Sequence, residues 1–220
     1  ANYYNGLAAA IRKSFNEKYY NGDGTYANGC MTAIAAALYF GLAETNRELS
    51  AEKLAGLVRA RDHKVDFGIL GAKYVPRVLA DYGYAEDAFK LITQPEFPGW
   101  GNWVKRGATT LWEHWNGCSS QNHIMFGDIS AWMFQYPAGA APCFETPGFR
   151  GFRLKPCFIP QLDHVAMSHE TPYGKLSVSW RRTGDGILCE IRVPDGCTAS
   201  LELPGQPVQT VTGTSTHTIR

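Results

Sequence analysis

Apolar positions follow a helical period over the first two-thirds of the chain and a period of two over the rest. Leu7, Ala10, Ile11 and Phe15 line one face of a helix spanning about Tyr3 to Lys18. Asn21-Gly-Asp-Gly24 follows as a turn whose glycines accept positive φ. The alanine-rich run Met31 to Gly41 predicts a helix buried nearly all round. Ser50 reads as the cap of a helix from Ala51 to about Arg61. Gly68-Ile-Leu-Gly71 is a tight connector, Lys73–Tyr82 and Glu86–Gln94 predict further helices, and Pro95 and Pro98 stop the pattern. The stretch to Trp115 reads largely as loop. A last helix covers about His123 to Tyr136, with Asn122 as its cap and Pro137 as its end.

After Pro147-Gly148 the grammar changes. Leu176, Val178 and Trp180 alternate with Ser177 and Ser179; Ile187, Cys189, Ile191 and Val193 alternate with Leu188, Glu190 and Arg192; Ala199, Leu201 and Leu203 repeat the pattern. Tyr173-Gly174, Gly184-Asp-Gly186, Asp195-Gly196 and Pro204-Gly205 punctuate these strands. Short strands with polar turns predict an antiparallel β-sandwich. The expected domains are therefore a helical one over 1–148 and a β-sandwich over 149–220.

With 21 basic and 20 acidic residues among 220, the chain carries a formal net charge of +1 and shows no basic stripe. Nothing here is an electrostatic footprint for nucleic acid. No apolar run approaches the roughly 18 residues of a membrane-spanning helix, and no signal-peptide pattern opens the chain. The first residue is Ala rather than Met, which suggests a processed or cut N-terminus. Cys30, Cys118, Cys143, Cys157, Cys189 and Cys197 have no C-x-x-C spacing, so neither a metal nor a redox cofactor is expected. Their even number permits disulfides, and the compartment, whether periplasmic, secreted or cytoplasmic, stays open.

The densest chemistry lies in Trp100-Gly-Asn-Trp103 and Trp112-Glu113-His114-Trp115, which hold four of the six tryptophans around one carboxylate. Indole faces suit the C–H faces of a sugar ring, and a carboxylate handles its hydroxyls or activates a water. A tryptophan-rich buried loop with Glu113 as a structural carboxylate, salt-bridged to Lys105 or Arg106, is the competing reading.

Gly107-Ala-Thr-Thr-Leu-Trp-Glu-His-Trp115 resembles the G-A-T-T-x-W-E-x-W signature of the α-L-rhamnosidases of glycoside hydrolase family 78, and Asn122-His-Ile-Met-Phe-Gly127 resembles their N-H-x-M-F-G segment. Tyr26-Ala-Asn-Gly29 with Thr32-Ala33, Gly68–Gly71, Pro98-Gly-Trp-Gly101 and Tyr173–Trp180 extend the similarity over nearly the whole chain. Met31 departs from the family, where Gln is common, and so does Gln121, where Arg or an apolar residue is common. The resemblance implies the second half of an (α/α)6 barrel followed by a C-terminal antiparallel β-sandwich, without the upstream barrel half and N-terminal β domains. It implies no cofactor.

The family resembles inverting hydrolases, which use an acid and a base about 6.5–9.5 Å apart. By the match Glu113 takes the base position, with Trp112, Trp115 and His114 as donors that fix its direction. His123 takes the position of a histidine contacting rhamnose hydroxyls, and Trp100 and Trp103 are offered as pocket walls. His63 and Lys64 precede a turn that faces the barrel mouth in the resembling fold. Trp132 and Phe134 read as helix packing and Trp180 as sandwich core.

The general acid has no match here. Asp66, Glu96 and Asp128 lack its flanking pattern, so the isolated chain is expected to be inactive. The expected partners are a rhamnosyl glycoside or polysaccharide and the missing barrel half. Apolar helix faces left uncovered predict a homo-oligomer or poor solubility. Two alternatives remain: a six-hairpin glycosidase of other sugar specificity, and a non-catalytic carbohydrate-binding or structural protein.

Overall fold

A computed structural model describes residues 2–220. The chain divides into two compact units, Ala1–Ile129 and Ser130–Arg220.

The first unit is helical. Helix α1 (Asn2–Tyr19) is joined by the Asn21–Gly29 turn to α2 (Met31–Tyr39), then α3 (Arg47–Ala60), α4 (Ile69–Asp81), α5 (Ala85–Thr93) and the short α6 (Trp100–Lys105). The core runs along α2, where Ile34, Ala35 and Ala37 are fully buried, against Leu54, Ala55 and Val58 of α3 and Val75 and Leu79 of α4. Small residues on α2 let its neighbours approach, as the alanine-rich run predicted. Helix α1 differs. None of its residues is buried, and Tyr3, Tyr4, Leu7 and Ile11 are exposed. Only its C-terminal end engages the unit, through Asn16 Nδ2 donating to Leu42 O (2.7 Å) and Phe15 stacked on Tyr26 (5.6 Å).

Two local expectations are corrected. Ser50 does not cap α3: the helix begins at Arg47 behind Asn46, and Ser50 is buried on the inner face with Ala51, Leu54 and Ala55. A small polar residue fits a close-packed face as readily as a cap, and burial decided between them. The helix expected over His123–Tyr136 is broken at Gly127 into a 3₁₀ turn (Ile124–Phe126) and α7 (Asp128–Gln135), so Asn122 caps neither. The tryptophan window is largely loop, as expected, with the short α6 carrying Trp100 and Trp103.

The second unit contains two four-stranded sheets. The first is β1 (Ala140–Pro142), β2 (Gly151–Leu154), β6 (Thr198–Leu201) and β7 (Gln209–Val211); the second is β3 (His164–Thr171), β4 (Gly174–Thr183), β5 (Gly186–Arg192) and β8 (Thr214–Ile219). Their inner faces share one core containing Phe152, Leu154, Leu176, Val178, Trp180, Cys189, Ile191 and Leu201, which includes the alternating residues read from the sequence. All pairings are antiparallel except β2 with β6, which run parallel with Gly151 opposite Thr198. Strand β1 precedes residue 148 yet pairs with β2, so the sandwich recruits a strand from upstream of the change in period. Trp180 is the core anchor: its indole N–H donates to Pro137 O (2.7 Å).

Candidate active site

The candidate site is the loop from Arg106 to His123, between α6 and the 3₁₀ turn. Its two limbs run side by side. Glu113 N–H donates to Ser120 O (2.9 Å), His123 N–H donates to Leu111 O (2.8 Å), and the Thr110 hydroxyl donates to Gln121 O. The tip turns through Gly117 (φ +80°) and Ser119 (φ +64°). Glu113 and His123 therefore sit on opposite limbs, Glu113 two residues from Leu111, which pairs with His123, and His123 three residues from Ser120, which pairs with Glu113.

The tryptophans fasten this loop. Trp103 donates its indole N–H to Trp115 O (2.9 Å), Trp115 donates to Phe67 O (2.7 Å), and Trp100 donates to Phe126 O (3.1 Å). Ring centroids lie 4.8 Å apart for Trp103 and Trp115, 4.9 Å for Trp100 and Trp115, and 4.3 Å for Trp115 and Phe126. Trp100, Trp103 and Trp112 are only 5, 2 and 7% exposed, so they pack the loop instead of presenting open ring faces. Trp115 is half-buried. Edge and tilted contacts of this kind add about 0.5–1.5 kcal/mol per pair beyond burial, which makes the cluster a stiff support.

Glu113 is about one-third exposed (35%). Trp115 does not supply it with a donor, because that N–H is spent on Phe67, and His114 Nε2 lies 4.0 Å away. The donor that reaches the carboxylate is the backbone N–H of Ser120, 3.2 Å from Oε2. Sequence reasoning missed it, although Asn116-Gly117 was a usable signal for a turn that folds the chain back on itself. The nearby cations are engaged elsewhere. Lys105 pairs with Glu96 (3.3 Å); Arg106 lies over the Trp112 ring (4.6 Å) and donates to Asn116 O (2.9 Å).

The other carboxylates considered are each held by a base. Asp66 pairs with Arg61 (2.7 Å), and Asp128 takes two hydrogen bonds from Arg77 (2.6 and 3.1 Å). His63 is turned onto Asp87, with Nε2 2.8 Å from Oδ1, and Arg59 grips the same carboxylate (2.6 Å). Burial alone would raise Asp87, but the hydrogen bonds from Arg59 and His63 outweigh it and hold the carboxyl below its ordinary value. No group of His, Cys, Asp and Glu arranged for a metal occurs among the described residues, none of their helices is long and apolar enough to cross a membrane, and all six cysteines are free thiols.

A helical unit carrying a loop carboxylate on a tryptophan framework is thus followed along the chain by a β-sandwich unit. The family model for the bacterial α-L-rhamnosidase six-hairpin glycosidase domain matches residues 1–136, and that for the bacterial α-L-rhamnosidase C-terminal domain matches residues 144–218. The chain belongs to the bacterial α-L-rhamnosidase family. It is 28% identical over 213 residues to an α-L-rhamnosidase of Streptomyces avermitilis, covering 91% of this chain and 20% of that protein. It is 29% identical over 208 residues to one from an Alteromonas species, covering 88 and 22%. Among solved structures, the native α-L-rhamnosidase of Aspergillus terreus superimposes with a TM-score of 0.91 at 27% identity, over 100% of this chain and 27% of the other. The Streptomyces avermitilis enzyme complexed with L-rhamnose gives 0.91 at 25% identity, over 99 and 24%. The chain thus spans about a fifth to a quarter of the length of these relatives.

Proposed function

We propose that this chain carries the base side of an α-L-rhamnosidase active site, with Glu113 as general base in an inverting hydrolysis of terminal α-L-rhamnosyl groups. The observation that carries the reading is the state of Glu113. Of the four carboxylates weighed, it is the one held by a backbone N–H and without an Arg or Lys partner among the described residues, while Asp66, Glu96 and Asp128 are neutralised. A base needs that combination: a fixed direction and a free lone pair for the proton of the attacking water. His123, half-buried on the facing limb, is assigned to the rhamnose hydroxyls, which an imidazole can meet as donor and acceptor. Trp115 is assigned to the pocket wall, with Trp100, Trp103 and Trp112 holding it in place.

The substrate is a rhamnosyl glycoside or polysaccharide. The acid that protonates the leaving oxygen is assigned to an upstream barrel segment, and the exposed apolar face of α1 is where such a segment, or a second copy of this chain, would pack. The test uses p-nitrophenyl α-L-rhamnoside and L-rhamnose. The 220-residue chain is expected to bind L-rhamnose, read by tryptophan fluorescence, without turnover, and Glu113→Gln should weaken that binding. Turnover that disappears in Glu113→Gln would keep the base and refute the missing acid; turnover that survives it would refute the base.

A further inference from the structure

A cavity lies wholly within the Ser130–Arg220 unit, and neither Glu113 nor His123 lines it. It has a volume of about 360 Å³ and opens between α7 and the inner edge of the β3–β4 pair. Its floor is Met167 and Leu176, both buried in the sandwich core. Inward-facing positions on β3 run Val165, Met167, His169 by the period of two, and His169 pairs with Leu176 across the strands. A histidine therefore stands where the apolar row should continue. Its ring lies 5.0 Å from Phe149 and 6.4 Å from Phe134, so three aromatic rings wall the mouth.

Phe149 is held there at a cost. Its φ is +67°, directly after Gly148 at +73°, a backbone region that a bulky L-residue rarely adopts. The loop is locked by Thr146, whose hydroxyl donates to Gly151 O (2.9 Å). Such an outlier persists only where surrounding structure over-determines it, and here the result is a ring turned onto the cavity.

We infer that this cavity is a binding site for a flat aromatic ring carrying one polar substituent, such as a phenol or naphthol. The volume lies at the small end of ligand pockets, which suits one or two fused rings. Besides His169, the polar side chains at the wall are those of Ser130 and Gln135. A sugar would have to leave several hydroxyls unpaired against Phe, Met and Leu, which is unfavourable, whereas an aromatic ring gains edge and sulfur contacts from the same walls.

The test is ¹³C-methyl NMR of the methionines in the full 220-residue chain, titrated with 2-naphthol and, separately, with L-rhamnose. 2-Naphthol should shift the Met167 methyl saturably and leave Met31 and Met125 unmoved. Phe149→Gly, which removes the ring and accepts the backbone, should weaken binding at least tenfold; Ala131→Leu, which fills the cavity from α7, should do the same. No shift at Met167 up to the solubility of naphthol would overturn the proposal. So would full affinity in both variants, or a Met167 shift with L-rhamnose and none with 2-naphthol.

Discussion

Gly117 is the position where the Glu113 loop can be tested most sharply. It sits at φ +80°, and a Cβ added there would lie 2.7 Å from the Trp112 ring and 3.2 Å from an Arg106 guanidinium nitrogen. Gly117→Ala therefore meets two penalties. An L-residue in the left-handed region costs roughly 1–2 kcal/mol. Forcing a methyl into the indole adds about 1–3 kcal/mol, because Trp112 is buried and backed by Trp103 at 5.7 Å. Gly107 supplies the control: it has φ +79° but nothing within 4 Å of its built Cβ, so Gly107→Ala carries the backbone penalty alone. The difference between the two variants isolates the contact with Trp112, expected at about 1–3 kcal/mol. Guanidinium denaturation followed by tryptophan fluorescence measures it, since four of the six tryptophans lie at this loop. L-Rhamnose affinity should fall for Gly117→Ala more than for Gly107→Ala. Equal midpoints for both variants would refute the view that the loop tip is closed on Trp112.

Trp115→Phe should cost about 1–3 kcal/mol in the same denaturation assay, because it leaves the Phe67 carbonyl without its indole donor; an unchanged midpoint would count against the anchoring role. For Asp87, the folded value lies below the unfolded one, so its contribution is complete above the ordinary value of 3.8 and is lost as pH falls through the lower folded value. The stability difference between the native chain and Asp87→Asn should accordingly be constant at neutral pH and shrink only at the acid end, read from denaturation midpoints across the pH range. Burial pushes the Cys189 thiol up to about 11, whereas Cys118 is exposed on the site loop. Ellman's reagent at pH 8 should therefore label Cys118 in the native chain and Cys189 only after unfolding.

Much of this architecture was legible because it depends on period. The alternation of Leu176, Val178 and Trp180 with serines could only bury one face, and the alanine-rich run at Met31–Gly41 could only sit centrally. What escaped was decided by contacts distant in sequence. Ser50 looked like a cap because nothing local says that α3 buries it against a neighbour. Strands β3 and β8 carry His169, Ser215 and His217 at alternate inner positions, so their pattern was too polar to read. At the site, the tryptophan window and Glu113 stood out by composition. The direction of each indole did not, since Trp115 finds Phe67 across 48 positions and the carboxylate is met by a backbone N–H that no side-chain inventory contains.

The two readings of the tryptophan window, sugar wall or packed core, are not exclusive once Arg106 is considered. A cation seven residues before a carboxylate invites the assignment of a salt bridge, which would fix Glu113 and also occupy the lone pairs a base must keep free. Arg106 instead lies on the Trp112 face and reaches Asn116 O, so it braces the loop without touching the carboxylate. The distinction is measurable by double-mutant cycles in denaturant. Arg106→Gln with Trp112→Leu should show coupling near the 0.5–1 kcal/mol of an exposed cation–π pair. Arg106→Gln with Glu113→Gln should be additive within about 0.3–0.5 kcal/mol. If the coupling appears with Glu113 and vanishes with Trp112, Arg106 is the partner of a structural carboxylate, and the base would have to be sought elsewhere.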